Sequence, residues 1–485
     1  MAKKKKSRQT NTAARQAAPQ PTESDVGRVV AVRRQLEQAA FALLTAAMLI
    51  VPLVFSTATL EASSHIKTLV IALAMFAVFS LWLFANAVEN RFSLRKPRLN
   101  IPVAAYLFVC VAASIAAFNR PNSLSLLHNL LWCMAVYVVV ANSDYRDDAF
   151  LAVAVAITIA AFLAAGYGTL QRFNMDFVHW EAPDGEQIGT PSTFGHRNFA
   201  AEYMVAALPF VTALFFRLRN NIGKAGVLLA VLVILLQLFL AGSRASWIAV
   251  LSAAAFCIIA IAVATWRSLG HARRRELFDA FGKYFRGWEL RVVAGCAVVF
   301  FVVGPFMLRS DFRDFVKDVR TTFSLERESN LIRLATWQSS AHLALAHPVL
   351  GVGFGNYEVF LPEHWNLVDK QRFAEKNMLS DKAHNAYLQI ACETGFLGLA
   401  AFTWVLATAF VVGLRLVTGG FPRQAHGFVL AALCSIVAAL VNGFLAFNLI
   451  NPATRMLFWF SLGCLGAAER CYSQVGERNR GNTTA

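Results

Sequence analysis

Apolar residues in this chain come in long unbroken runs rather than at alternate positions, with polar residues gathered in short clusters between them. A helix needs roughly 17–25 such residues to cross the hydrocarbon of a bilayer. Twelve such runs are read, near 38–60, 66–87, 100–118, 124–141, 149–170, 198–216, 225–241, 245–265, 291–308, 394–414, 426–448 and 453–469. The fourth is the weakest, because it carries His128 and Asn129. The ten-residue alternation of a membrane β-barrel does not occur. The pattern therefore predicts an all-α polytopic membrane protein. It has about twelve transmembrane helices and one large periplasmic loop containing short helices.

The runs divide the chain. Residues 1–35 read as a disordered basic cytoplasmic tail, 36–308 as helices one to nine, and 309–393 as the loop domain. Residues 394–469 hold helices ten to twelve, and 470–485 read as a second cytoplasmic tail. The first run starts too far into the chain for a cleaved signal peptide. Composition agrees with this division: 57% of the 485 residues are hydrophobic and 15% charged, too little polar surface for a soluble domain of this length.

The formal charge of +16 would suggest nucleic acid in a soluble protein, but here its distribution decides. Of 45 lysines and arginines, 29 fall in alternate segments on the side of the N-terminus. Six lie singly on the other side, as Lys67, Arg120, Arg172, Arg197, Arg244 and Arg455, and ten in the long loop. Basic segments stay in the cytoplasm, whereas long loops cross regardless of charge. Both termini are thus expected in the cytoplasm. The excess reflects topology and contact with membrane lipids, and no nucleic-acid partner is indicated. Lys3-Lys4-Lys5-Lys6 reads as a solvated topology anchor or a contact for anionic head groups. The eight cysteines form no C-x-x-C pair and lie mostly in apolar runs, as small core residues do.

This orientation brings the unusual residues to one face. Gly242-Ser243-Arg244-Ala245-Ser246-Trp247 joins two spans with almost no loop. Arg244 there is either an interfacial anchor or a forked donor for phosphate oxygens. Arg333 and Trp337 stand one helical turn apart and share a face. In His347-Pro348-Val349-Leu350-Gly351-Val352-Gly353-Phe354-Gly355 a helix stop precedes a glycine-rich turn. Its spacing fits neither phosphate-loop pattern, so a cradle and a plain turn both stay open. His384-Asn385-Ala386-Tyr387-Leu388 is expected to open a short helix capped by Ser380 or Asp381 and ended at Gly395. His384, Tyr387 and Leu388 would share one face of it. A neutral imidazole there can take a proton from a hydroxyl. Thr193-Phe194-Gly195-His196-Arg197-Asn198 adds His196 and Arg197 as secondary candidates. With no Asp-x-Asp and no H-x-x-x-H, neither a metal site nor another cofactor is expected. Glu202 and Glu393 lie near span ends rather than in a carboxylate chain, which argues against a proton-coupled transporter.

Taken in order on one membrane face, these segments resemble the O-antigen ligase and O-antigen polymerase superfamily, over roughly residues 190–415. The resemblance implies a membrane glycosyltransferase of the C type, metal-independent and inverting, in the bacterial inner membrane with a periplasmic site. It implies an undecaprenyl-diphosphate-linked glycan as donor and a lipid A–core or glycan acceptor. Arg244 and Arg333 would hold the diphosphate, and His384 would be the base. A ligase acting on lipid A–core is favoured over an O-antigen or exopolysaccharide polymerase. A protein O-oligosaccharyltransferase is expected less, since such relatives often extend well beyond the last span. A transporter is the reading from another class.

Overall fold

The computed structural model describes residues 23–56, 62–88, 97–143, 147–178, 190–268, 313, 316–317, 320–321, 324, 328–376, 382–419, 423–446 and 448–481. Eight long helices come first: α1 (Glu23–Leu53), α2 (Ala62–Val88), α3 (Asn100–Ala116), α4 (Arg120–Asn142), α5 (Asp147–Arg172), α6 (Arg197–Arg217), α7 (Asn221–Ala241) and α8 (Arg244–Ser268). Three shorter ones follow, α9 (Glu328–Ala346), α10 (Tyr357–Phe360) and α11 (Leu367–Lys376). The chain closes with α12 (Ala386–Thr418), α13 (Arg423–Leu445) and α14 (Pro452–Gly481).

Among the described residues, nine of these helices are long and apolar enough to cross a membrane, and α3 is a shorter apolar one. The protein is an all-α polytopic membrane protein. Helix is the only open-ended element that satisfies its own backbone in lipid. Every expected span coincides with a helix except that near 291–308, which lies outside the described residues. The weak fourth run is α4, where Asn129 donates to Thr68 Oγ1 of α2 (3.0 Å) and His128 accepts from Trp132 (2.7 Å). α1 starts at Glu23, within the segment read as tail, and carries the Arg33–Glu37 pair on its polar first half (3.0 Å).

Contacts at the helix ends sort them into two faces. On one, Asn119 N–H donates to Asn356 Oδ1 (2.7 Å), Ser192 N–H to Gln171 Oε1 (2.7 Å), and the Asn451 amide to Phe199 O (3.1 Å). This is the face of Arg244 and the 382–385 turn. On the other, Arg267 reaches Thr418 Oγ1 (3.2 Å) and Arg98 pairs with Glu469 (3.3 Å). Apolar side chains such as Leu73, Phe76, Phe108 and Ile258 point outward, as the lipid-facing side of a bundle requires.

Lys67, near the start of α2, ties three segments of the first face together. Its buried ammonium donates to Pro52 O (3.2 Å), Thr193 O (2.9 Å) and Val54 O, and lies 4.8 Å from the centre of the Phe194 ring. Lys67→Met would leave those carbonyls without their donor in a dry setting. We expect a loss on the order of 3 kcal/mol, read as a large drop in melting temperature in detergent. A melting temperature within two degrees or so of wild type would show that the lysine is dispensable to the fold.

The short helices α9 to α11 and the start of α12 share a small core of their own, built from Leu343, Val352, Tyr357, Leu361, Ala383 and Cys392. Tyr357 shares a hydrogen bond with Ser340 Oγ (2.8 Å), and Ser339 donates to Asp369 (2.7 Å). Burial pushes the Tyr357 phenol above its ordinary range, so it stays protonated.

Candidate active site

Arg244 is the first residue of α8. α7 ends on Gly242, whose left-handed backbone (φ 62°) turns the chain back into the membrane within two residues. The guanidinium therefore sits where the N-terminal end of a helix dipole already favours an anion. Beneath it, Ser246 is fully buried, shares a hydrogen bond with Ser243 (2.9 Å) and accepts one from the Asn442 amide of α13 (3.1 Å).

The last turns of α13 gather the other motifs. Arg333 lies half-buried on α9, and Trp337, one turn further, packs edge-on against Phe444 (6.2 Å between ring centres). Tyr387 also packs against Phe444 (5.9 Å), and its hydroxyl donates to Leu440 O (3.0 Å). The Asn385 amide donates to Phe444 O (3.1 Å). Asn442 thus engages the Arg244 segment, while Phe444 engages both the Arg333 helix and the His384 turn.

His384 stands differently from the expectation. The helix cap is Asn385, whose Oδ1 accepts from Tyr387 N–H (3.0 Å) and Leu388 N–H (3.1 Å), not Ser380 or Asp381. An Asn side chain reaches those donors from the residue just before the helix, whereas positions four and five back cannot. Ser380 and Asp381 themselves lie outside the described residues. His384 is therefore not on the helix face with Tyr387 and Leu388. It precedes the cap in a left-handed conformation (φ 48°) and is exposed. Such a backbone is costly for a non-glycine residue and persists where neighbours hold it. Here Ala383 N–H donates to Gln389 Oε1 (2.8 Å) on one side of His384, and Asn385 is tied to Phe444 on the other.

The glycine-rich turn resolves as a packing device. A side chain on Gly351 would meet Cys392 O at 2.3 Å, and one on Gly353 would meet Ala117 Cβ at 2.5 Å. The turn is stitched to α12 by Val352 N–H to Cys392 O (2.8 Å) and Phe396 N–H to Pro348 O (2.7 Å). Its backbone faces protein rather than open space. α12 breaks at Gly395 (φ 67°), the stop expected there, and then continues as the long span.

His196 caps α6, its Nδ1 accepting from Asn198 N–H (3.1 Å), so that lone pair is already used. Arg197 is the exposed first residue of the same helix. Among the described residues no three His, Cys, Asp or Glu side chains come together as a metal site would need. Sequence reasoning gave no site role to Lys67, Glu202, Lys382 or Asn442. An isolated Asn in the apolar run ending α13 was the one local signal available.

Comparison with known proteins agrees with the motif reading. A family model described as O-antigen ligase matches residues 228–403, from α7 through the short helices α9 to α11 into α12. The chain is also similar to the exopolysaccharide production protein ExoQ of Rhizobium meliloti (strain 1021), 22% identical over 412 residues, covering 82% of this chain and 84% of that one. The resemblance to the O-antigen ligase and polymerase superfamily is borne out.

Proposed function

We propose that this polytopic protein of the O-antigen ligase and polymerase superfamily moves a glycan from undecaprenyl diphosphate to an acceptor hydroxyl at the periplasmic face of the bacterial inner membrane. The observation that supports it most is the convergence on the end of α13. The segments bearing Arg244, Arg333 and His384 all meet Asn442, Phe444 or Leu440 there.

In this reading the acceptor oxygen attacks the anomeric carbon of the donor from the face opposite the diphosphate. The carbon–oxygen bond to the diphosphate breaks, and undecaprenyl diphosphate leaves with the electron pair. His384 takes the hydroxyl proton. Arg244 and Arg333 stabilise the charge that grows on the leaving group. One displacement inverts the anomeric centre. His196 and Arg197 flank the site as secondary contacts.

In the favoured form of this reading the acceptor is lipid A–core and the protein acts as a ligase, in keeping with a family model described as O-antigen ligase. A second reading, a polymerase whose acceptor is another lipid-linked repeat unit, is supported by the likeness to an exopolysaccharide production protein. A transporter finds less support. The buried Lys67, Glu202, Glu393 and Arg455 all stand within two turns of the same-face ends of their helices. Among the described residues no ladder of buried charge continues from them to the opposite face.

Purified protein, lipid-linked glycan and each acceptor in detergent test this. Transfer should persist in chelator, and a ladder on the lipid-linked acceptor alone would mark a polymerase. His384→Ala should lower transfer at least about a hundredfold with donor binding retained. Transfer that requires added metal would sink the mechanism, and full activity in His384→Ala would remove the base.

A further inference from the structure

Glu202 is a buried carboxylate that the mechanism above leaves idle. It lies on α6, little more than one turn below the face that carries Arg244, and only 4% of it is exposed. Its Oε2 accepts no hydrogen bond among the described residues. Such a group is expensive in a membrane bundle and normally has a use. Burial is the larger influence on it, and the charge that counters it is Lys382, two residues before His384. Among the described residues Glu202 feels the field of Lys382 without forming a direct ion pair with it.

The packing fixes where Glu202 lies relative to α13. Ser435 Oγ donates to Ala206 O (2.8 Å), registering α13 against α6. Glu202 is one turn above Ala206 on the same face, roughly 6 Å nearer the site. Since the helices run antiparallel, it stands level with Ala439 and Leu440, the latter's carbonyl accepting from the Tyr387 hydroxyl. Ser435, Ala439 and Asn442 recur at i, i+4 and i+7, so they line one face of α13. Asn442 repeats the Glu202 pattern. Its amide nitrogen is spent on Ser246, and its Oδ1, buried, has no donor. Among the described residues these two buried acceptors on neighbouring helices lack hydroxyl or N–H partners, Asn442 lying two residues from the Phe444 carbonyl that holds Asn385.

We propose that Glu202 and Asn442 form the acceptor subsite, taking hydrogen bonds from hydroxyls of the sugar whose oxygen His384 activates, with Lys382 balancing the carboxylate charge. Carbohydrate is the ligand class that offers adjacent hydroxyl donors to paired acceptors. The proposal rests on the glycan-transfer reading and adds to it the residues that choose the acceptor.

The test is a two-substrate kinetic comparison of wild type, Glu202→Gln and Glu202→Asp. Extracted lipid-linked glycan serves as donor, with whichever acceptor the wild type uses: extracted core glycolipid or the lipid-linked repeat unit. Glu202→Gln keeps the shape but offers an N–H₂ where an acceptor is wanted. The acceptor KM should rise roughly tenfold or more with the donor KM unchanged, since a hydrogen bond to a charged group is lost. Glu202→Asp, which keeps the charge, should recover part of that loss and serves if the amide variant does not fold. Asn442→Leu should raise the acceptor KM as well. An acceptor KM within about twofold of wild type in Glu202→Gln, or donor and acceptor KM rising together, overturns the subsite. A wild-type protein that transfers nothing overturns the transfer reading, and the subsite falls with it.

Discussion

Arg244→Ala is expected to lower glycan transfer at least about a hundredfold at saturating acceptor, and Arg333→Ala by a similar factor. The leaving diphosphate gains negative charge as its bond to the anomeric carbon breaks, part of it already in the transition state. With no metal in the proposed mechanism, that charge falls to guanidinium groups and the N-terminal end of α8. Both residues are half-buried, on helices whose fixed points are known: Ser246 on Asn442 beneath Arg244, and Trp337 on Phe444 beside Arg333. Neither arginine is needed to hold those contacts, so the variants should accumulate and melt as wild type does. Lysine should rescue poorly, since it offers a point charge instead of a fork. The double variant should lose less than the product of the single losses if both act on one diphosphate. Near-normal transfer by Arg244→Ala would remove it from the clamp, and strictly multiplicative losses would place the two arginines on separate groups.

The spans were legible because lipid makes a simple demand: long apolar runs, each a self-satisfied helix. The positions of α2 to α8 and of α13 follow the hydrophobic pattern to within a few residues at most ends. The cluster of site motifs was legible for a related reason, as polar residues in an apolar chain are conspicuous. What the pattern does not carry is the partner of each polar residue. Lys67 reads as one more outer-face cation until Thr193, 126 positions away, is found accepting from it. Glu202 reads as a carboxylate at a span end until α13 and Lys382 stand beside it. The cap at Asn385 was missed because Ser380 and Asp381 are equally good cap residues in sequence. Only the observed start of α12 selects among them. The glycine turn shows the same limit: its residues suit either a phosphate or a neighbouring backbone, and only packing decides.

That packing makes Gly395→Ala the most damaging small substitution we expect around the 348–352 turn. An added Cβ would stand 2.1 Å from Val349 O and 2.7 Å from Leu350 N, both backbone atoms that cannot swing aside. It would also sit on a left-handed residue (φ 67°), a strain of about 1–2 kcal/mol by itself. The collision falls where Pro348 O accepts from Phe396 N–H, so relieving it opens the seam between the 348–352 turn and α12. That seam also places Cys392 in the small core. From there Gln389, one turn earlier, holds Ala383 and hence the His384 turn. Gly242→Ala is the matched comparison: a similar left-handed backbone (φ 62°) with no atom within 4 Å of the added carbon. It should cost only the conformational strain and lower the melting temperature by a few degrees. Gly395→Ala should instead fail to accumulate in membranes, or melt far lower with transfer lost. Equal behaviour of the two variants would mean that the seam yields easily, and that the kink matters for its backbone angle alone.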